Sequence, residues 1–446
     1  MPPPDLLTAR RRDRMAVTGS GGSAASGRPH GAGPPTTGSP FRVRDFRALW
    51  SAEMLSAAGD QVARVALTVL VLERTGSVAW SATFYALTFL PALAGGLLLG
   101  QLADRFPRRL VMVATDLVRA GLVGVMALPG LPLPVLCALL VVVVLLGGPH
   151  NVARSAVLPD LLGGGLLARG IALRQVSVQV AQVVGFGGGG LLVALLAPSG
   201  ALLVDAATFG LSAAVVGFGM RSRWAVRRAD VAGDPGARGA EPGTWLQGTR
   251  SGLSLVFRHP RRRYLVLIAW LLGIYVLPEA LAAAYAMAIG AGPVATGLLM
   301  AADPAGSAVG ALLFAFVLPA RFRERWIVPL AVGAAIPLAL TPLAPGLWPA
   351  VGLWAVSGAC ATACLVQAQA GFARETPTAV RGRATGVAAS GLVGSQGVAV
   401  LLGGLLAQWT EPATALGVVG VVGVVLALGA RRMVGGSPPV VAGAAG

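Results

Sequence analysis

Few residues in this 446-residue chain can do chemistry, and their spacing sets them apart from an apolar background. Glu53, Ser56, Asp60, Arg64 and Thr68 fall at i, i+3, i+7, i+11 and i+15, which on a helix places all five on one stripe. Farther along, Tyr275 lies one turn before Glu279, which follows Pro278, and Asp303 precedes Pro304. Gln175, Gln179 and Gln182 form another stripe. Burial disfavours a charged carboxylate and a nearby cation favours it, so an acid poised between the two can load a proton on one side and release it on the other. Asp60 is therefore a candidate proton or cation site tuned by Arg64. The competing reading is that these two, one turn apart, neutralise each other. Glu279 is the first candidate for a coupling acid and Asp303 the second; alternatively each serves a carbonyl freed by the neighbouring proline. The glutamines and Tyr275 line a substrate path or act as interhelical glue. Asp116 and Arg119 read as a structural pair, and Asp205 as lying outside the central site.

Other chemistries lack their residues. Three histidines (His30, His150, His259) stand far apart without Cys or acidic neighbours at ligand spacing, so no metal site is expected. Cys137, Cys360 and Cys364 sit in apolar runs and give no disulfide framework. No serine has a base at helical spacing, which argues against an intramembrane enzyme. No cofactor is expected, and a proton gradient is the expected energy source.

The elements that must position these residues are membrane spans. The chain is 55% hydrophobic and 12% charged, with a mean hydropathy of +0.74. Segments of about 20 mostly apolar residues, enough to cross a bilayer, lie near 47–72, 79–102, 109–129, 133–152, 171–197 and 199–220. Six more lie near 263–289, 294–319, 326–343, 347–372, 383–408 and 412–430. The expected fold is all-α and integral to the membrane: twelve transmembrane helices in two six-helix bundles, 46–220 and 262–432. A tail, 1–45, is expected to be disordered, as is 433–446. Residues 221–261 form a linker in which Trp245, Leu246, Leu253, Val256 and Phe257 suggest an interfacial helix; a plain flexible linker is the other reading.

All 35 basic residues are arginine, giving a net charge of +17. They cluster between spans rather than along a soluble face, which argues against nucleic acid and for anionic lipid of the inner leaflet. Arg105, Arg108 and Arg109 follow span 2, Arg154 and Arg169 span 4, Arg221 and Arg223 span 6, and Arg321, Arg374 and Arg431 their counterparts in the second half. The positive-inside rule then puts both termini in the cytoplasm of a multi-pass protein of the cell membrane. Glu279 and Asp303 lie some ten residues from the outer ends of spans 7 and 8, at one depth ~15 Å below the surface. Spans 5 and 11 read alike, each running from an arginine through small residues to Gly-Gly-Leu-Leu, and Pro91 and Pro304 take matching places in spans 2 and 8. Gly59-Asp60 and Pro278-Glu279 likewise pair a helix-weakening residue with an acid in spans 1 and 7. This is the parallel repeat of carriers whose site lies between the halves.

On these residues the chain resembles the major facilitator superfamily from Phe41 to Arg432. The stretch from Gly100 to Arg109, GQLADRFPRR, is similar to that superfamily's signature loop, with Pro107 where the pattern has glycine. Residues 318–325 keep the arginines of the second-half counterpart. Val184 to Gly190, VGFGGGG, is similar to the antiporter motif, with Phe186 in place of its proline. The opening FRALWSAEMLSAAGDQVARVAL and FRHP before span 7 look most like the drug, macrolide and siderophore exporter branch. The arginine usual inside span 4 is missing from 133–152. The resemblance implies a proton-coupled exporter of a hydrophobic or cationic small molecule, working by alternating access as a monomer. An uptake carrier for a metabolite is the alternative, and a membrane sensor or scaffold a remote one. It also implies that Gly100, Asp104, Arg105, Arg108 and Arg109 form a gate, with Asp104 meeting the start of span 11 near Arg381 and Arg383.

Overall fold

A computed structural model of the protein describes residues 38–99, 102–220, 252–317, 325–377 and 380–434. Among these residues the regular elements are helices, and nine are long and apolar enough to cross a membrane. One of them, Gly164–Gly219, is two spans joined at a kink, because Ala197 takes a left-handed backbone (φ 60°) directly before Pro198. Arg108–Met126, whose Arg108, Arg109, Asp116 and Arg119 offset its apolar residues, and Ile327–Leu343 complete the twelve. Their outward surface carries large apolar side chains such as Leu195, Leu203, Phe218, Leu402 and Val425, as a hydrocarbon solvent requires. The protein is a multi-pass membrane protein.

Prolines shape the spans that matter for function. Span 2 breaks into Val78–Ala86 and Leu90–Leu99, since Pro91 lacks an N–H and its ring crowds the carbonyl one turn back. Span 7 runs as Pro260–Gly273 and Leu277–Ala288 around a 3-10 turn at Ile274–Val276, with Pro278 the cause by the same argument. Span 1, Arg44–Thr75, is one unbroken helix. Gly59 does not weaken it as expected but permits close packing, since a Cβ there would collide with Thr208 and Asp205 of span 6. Span 4 continues to Leu161 through Pro149 and Pro159, beyond the expected end, so His150, Asn151 and Arg154 are helical.

Spans 1, 3, 5 and 6 pack together, and span 4 covers spans 2 and 3. In the other half span 8 packs on span 10, span 9 on spans 10 and 12, and span 7 on spans 10 and 11. The halves meet through span 5 against span 8 and span 2 against span 11, two pairs that the internal repeat makes equivalent. Among the described residues, the hydrogen bonds across this boundary lie in the half of the molecule away from the arginine-rich face. Ser77 caps Val78–Ala86 by accepting from the Trp80 amide, and its hydroxyl donates to Gln408 Oε1 at 2.9 Å. The same oxygen accepts from the Ala79 amide at 3.1 Å. Gly404 leaves room for Ala82, and Gly190 of span 5 meets Gly297 of span 8 backbone to backbone. The glycine run of span 5 thus serves two partners, with Gly185 and Gly189 against span 1 and Gly190 against span 8.

The expected tail 1–45 and linker 221–261 lie largely outside the described residues, including Trp245 and Leu246. Residues 252–257 are helical, with Val256 fully buried and Phe257 against Trp270.

Candidate functional site

Two cavities collect most of the chemistry-bearing side chains. The first, of about 210 Å³, lies between the halves. It is lined by Glu279, Tyr275, Asp303, Ser307, Gln179 and Gln182, together with Phe89, Thr362 and Gln396. Glu279 sits in the first turn after the 3-10 break of span 7, 8% exposed, and accepts a hydrogen bond from the Tyr85 hydroxyl of span 2. That bond crosses the boundary between the halves. Asp303 packs against span 10 at Gly358, where a Cβ would lie 2.6 Å from its Oδ1. Ser307, one turn on, donates to the Gly358 carbonyl and accepts from Thr362 at 2.8 Å. Glu279 is thus held from another helix and not only by a carbonyl next to Pro278. Tyr275 donates to the Ala331 carbonyl at 3.4 Å. Gln175 is exposed and lines neither cavity.

The second cavity, about 240 Å³, lies inside the first bundle among spans 1, 2, 3, 4 and 6. Asp60, Arg64, Arg119, Asp205, Asn151 and Thr88 supply its polar atoms. Here the expected pairings are rearranged. Asp60 is bonded by Arg119 of span 3 at 2.9 Å, not neutralised by Arg64. Arg64 instead lies over the rings of Tyr85 and Phe89, 5.6 and 5.3 Å from their centres. Arg119 stacks on Phe209 at 4.0 Å and stands 4.0 Å from Asp116, so its closer partner is Asp60 and not the residue expected. Asp116 accepts from Ser212 at 2.7 Å and meets His150 Nδ1 at 3.1 Å. Asp205, expected outside the central site, is absent from the cavity between the halves and lines this one with Asp60.

Below it Glu53 is 4% exposed and held by two arginines, Arg174 at 2.6 Å and Arg154 at 3.2 Å. The stripe on span 1 therefore does not face one space: Asp60 and Arg64 border the cavity, Glu53 is locked in an ion triad, and Thr68 bonds its own backbone. Arg154 is an arginine within the span 4 helix, which reading the span as 133–152 had hidden.

Of the gate residues, Gly100 and the side chain of Asp104 lie outside what the structure describes. Arg105 is exposed. Arg108 donates to Asp160 at 2.5 Å and to the Ala156 carbonyl, and Arg109 to the Gly217 carbonyl. Both bind helices of their own bundle rather than span 11, where Arg383 is exposed and Arg381 bonds the Thr376 carbonyl. Among the described residues no cluster of His, Cys, Asp and Glu could hold a metal ion.

Tyr85 escaped the sequence reading, since it acts through Glu279 on another helix. Arg119 was read with the wrong partner, Asp116 rather than Asp60.

The model of a family described as transmembrane secretion effector matches residues 35–434. The multidrug efflux pump Tap of Mycobacterium tuberculosis is 32% identical over 170 residues, 36% of this chain and 41% of Tap. The chain therefore spans about two fifths of the length of that curated relative. A crystal structure of the nucleoside transporter NupG superposes with a TM-score of 0.65 at 12% identity, over 87% of this chain and 98% of NupG. The inward-open xylose transporter XylE from E. coli gives 0.63 at 15% identity, over 89% and 96%.

Proposed function

The chain belongs to the transmembrane secretion effector family of the major facilitator superfamily, and from that premise we propose that it exports a hydrophobic or cationic small molecule by alternating access, driven by proton movement. The observation that carries this reading is the convergence of Glu279, Asp303, Gln179 and Gln182 on one cavity between the halves, with Glu279 bonded across their boundary to Tyr85. A wall of aliphatic and aromatic surface with a few convergent polar groups suits an apolar solute, and two carboxylates with no arginine in the lining favour a cation over an anion.

The arginine-rich face is taken as cytoplasmic by the positive-inside rule. The cavity then lies beneath a seal on the outer side, and the state described is the one a solute enters from inside. A cation pairing with Glu279 competes with Tyr85 for the same carboxylate, so binding from inside loosens a contact that closes the outside. This is the differential interaction that a conformational shift needs. After outward release, a proton taken up by Glu279 replaces the lost cation, and its loss inside restores the carboxylate to which Tyr85 donates. Seven polar side chains and two aromatic rings in the cavity fit a solute recognised by shape and charge together.

The test is reconstitution in liposomes with an imposed pH gradient and a panel of lipophilic cations and neutral drugs. Wild type should move at least one of them against its gradient. Glu279→Gln and Asp303→Asn should abolish or sharply reduce the gradient dependence while leaving the protein folded. Wild-type flux in both variants would refute the coupling role, and uptake with the gradient rather than export would favour the metabolite carrier.

A further inference from the structure

Spans 5 and 11 are equivalent in the internal repeat, and their glycine pairs fix the register: Gly189-Gly190 before Leu191-Leu192 matches Gly403-Gly404 before Leu405-Leu406. The packing obeys the same match. Gly189 lies against Val62 and Val65 of span 1 and Gly403 against Leu277 of span 7, while Gly190 meets Gly297 of span 8 and Gly404 meets Ala82 of span 2. Seven residues before the first glycine of each pair stand Gln182 in one span and Gln396 in the other. Seven residues are close to two turns, so each glutamine shares a helix face with its glycine, ~10 Å from the level at which the halves touch. The two carboxamides therefore occupy one layer on either side of the boundary, and both line the cavity between the halves.

Gln182 and Gln396 are half-buried, and neither side chain has a hydrogen-bond partner among the described residues. Glutamines that hold the fold together behave differently: Gln408 accepts two bonds through Oε1, and Gln61 donates to the Ala57 carbonyl. Closing the cavity around a solute removes water, and an amide left unpaired there pays its full desolvation cost. The solute must then offer both a donor and an acceptor, because each carboxamide presents an NH₂ and a carbonyl. A trans secondary amide points its N–H and its C=O in opposite directions. One such group between the two walls donates to one glutamine and accepts from the other.

We infer that Gln182 and Gln396 form a recognition site for a secondary amide, and that the solute is an amine carrying such an amide, its ammonium group toward Glu279 and Asp303. Phe89 and Tyr275 give it aromatic surface in the same cavity. The ammonium end rests on the export reading above; the amide end stands on the glutamine pair alone.

The experiment measures binding to the full-length protein in lipid nanodiscs by titration calorimetry. Procainamide and procaine share an aryl ring and a tertiary ammonium and differ in the amide or ester between them; tetraphenylphosphonium is a cation with neither. Wild type should bind procainamide about tenfold more tightly than procaine. Gln182→Met and Gln396→Met should each weaken procainamide about tenfold, only one of them should weaken procaine, and the double variant should bind the two alike. Gln175→Met, whose native side chain lines neither cavity, should match wild type. Glu279→Gln should weaken all three compounds and keep the preference for the amide. Wild type that binds procainamide no more tightly than procaine overturns the inference without any variant, as does a preference that survives in the double variant. Tetraphenylphosphonium bound without an amide preference leaves the export reading standing and sinks this one alone, and no binding of any of the three sinks both.

Discussion

Replacing Gly297 with alanine should tip the conformational balance away from the sealed state. A Cβ at this position would lie 2.6 Å from the Phe186 carbonyl oxygen and 2.7 Å from Gly190 Cα, all of it backbone that no rotamer change can move. Carbon contacts are comfortable only at about 3.5 Å or more, so spans 5 and 8 must part by several tenths of an ångström. Overpacking of this kind costs about 1–3 kcal/mol. The cost falls only on conformations in which the two spans touch at this level, so the state open on the far side gains a factor of roughly 5–150 in relative population. Hydrogen exchange in lipid nanodiscs reads this directly, as faster exchange of the amides in Val78–Ala86 and in the last turns of Arg381–Trp409, which form the seal. Gly187→Ala is the control, because its Cβ meets open space and an alanine inside a helix gains about 0.5–1 kcal/mol. Unchanged exchange at the seal in a folded Gly297→Ala protein would refute the argument that this glycine pair sets the distance between the halves.

Two further outcomes follow from the same geometry. Glu53→Gln leaves Arg154 and Arg174 facing each other without their carboxylate and should cost about 3 kcal/mol, the low end for a broken buried pair because Arg174 is 28% exposed; a fall in the thermal midpoint checks it, and an unaltered midpoint would show the triad to be idle. Tyr85→Phe removes the donor to Glu279 and should cost the sealed state about 1–3 kcal/mol, seen as faster exchange across Val78–Ala86 with little change at the arginine-rich face.

Twelve apolar stretches were legible because a bilayer demands about 20 apolar residues from each span, and even the polar span 3 kept that length. The depth argument set Glu279 and Asp303 at one level, and the packing of spans 7 and 8 brings both to one cavity with Gln179, Gln182 and Tyr275. Pairing was harder to read. Helical spacing made Arg64 the obvious partner of Asp60, but an i, i+4 neighbour competes with side chains on other helices, and Arg119 reaches Asp60 from span 3. Asp205 lies outside the cavity between the halves, as its place near a span end suggested, but the count of residues says nothing about which helix face turns inward, and its place in the first bundle's cavity was not legible. The end of span 4 was drawn at residue 152 with Arg154 beyond it, yet a proline within a bundle can stay helical when neighbours restore its lost bond, and the helix runs on through Pro159 to take in Arg154.

The central claim is that the halves must part on the far side for a solute to leave. Ser77 and Gln408 carry the seal, 2.9 Å apart through their polar atoms. With Cys137, Cys360 and Cys364 replaced, Ser77→Cys and Gln408→Cys joined by a short thiol cross-linker should abolish flux in liposomes, and a cleavable linker should restore it on reduction. Full flux through completely cross-linked protein would contradict the account.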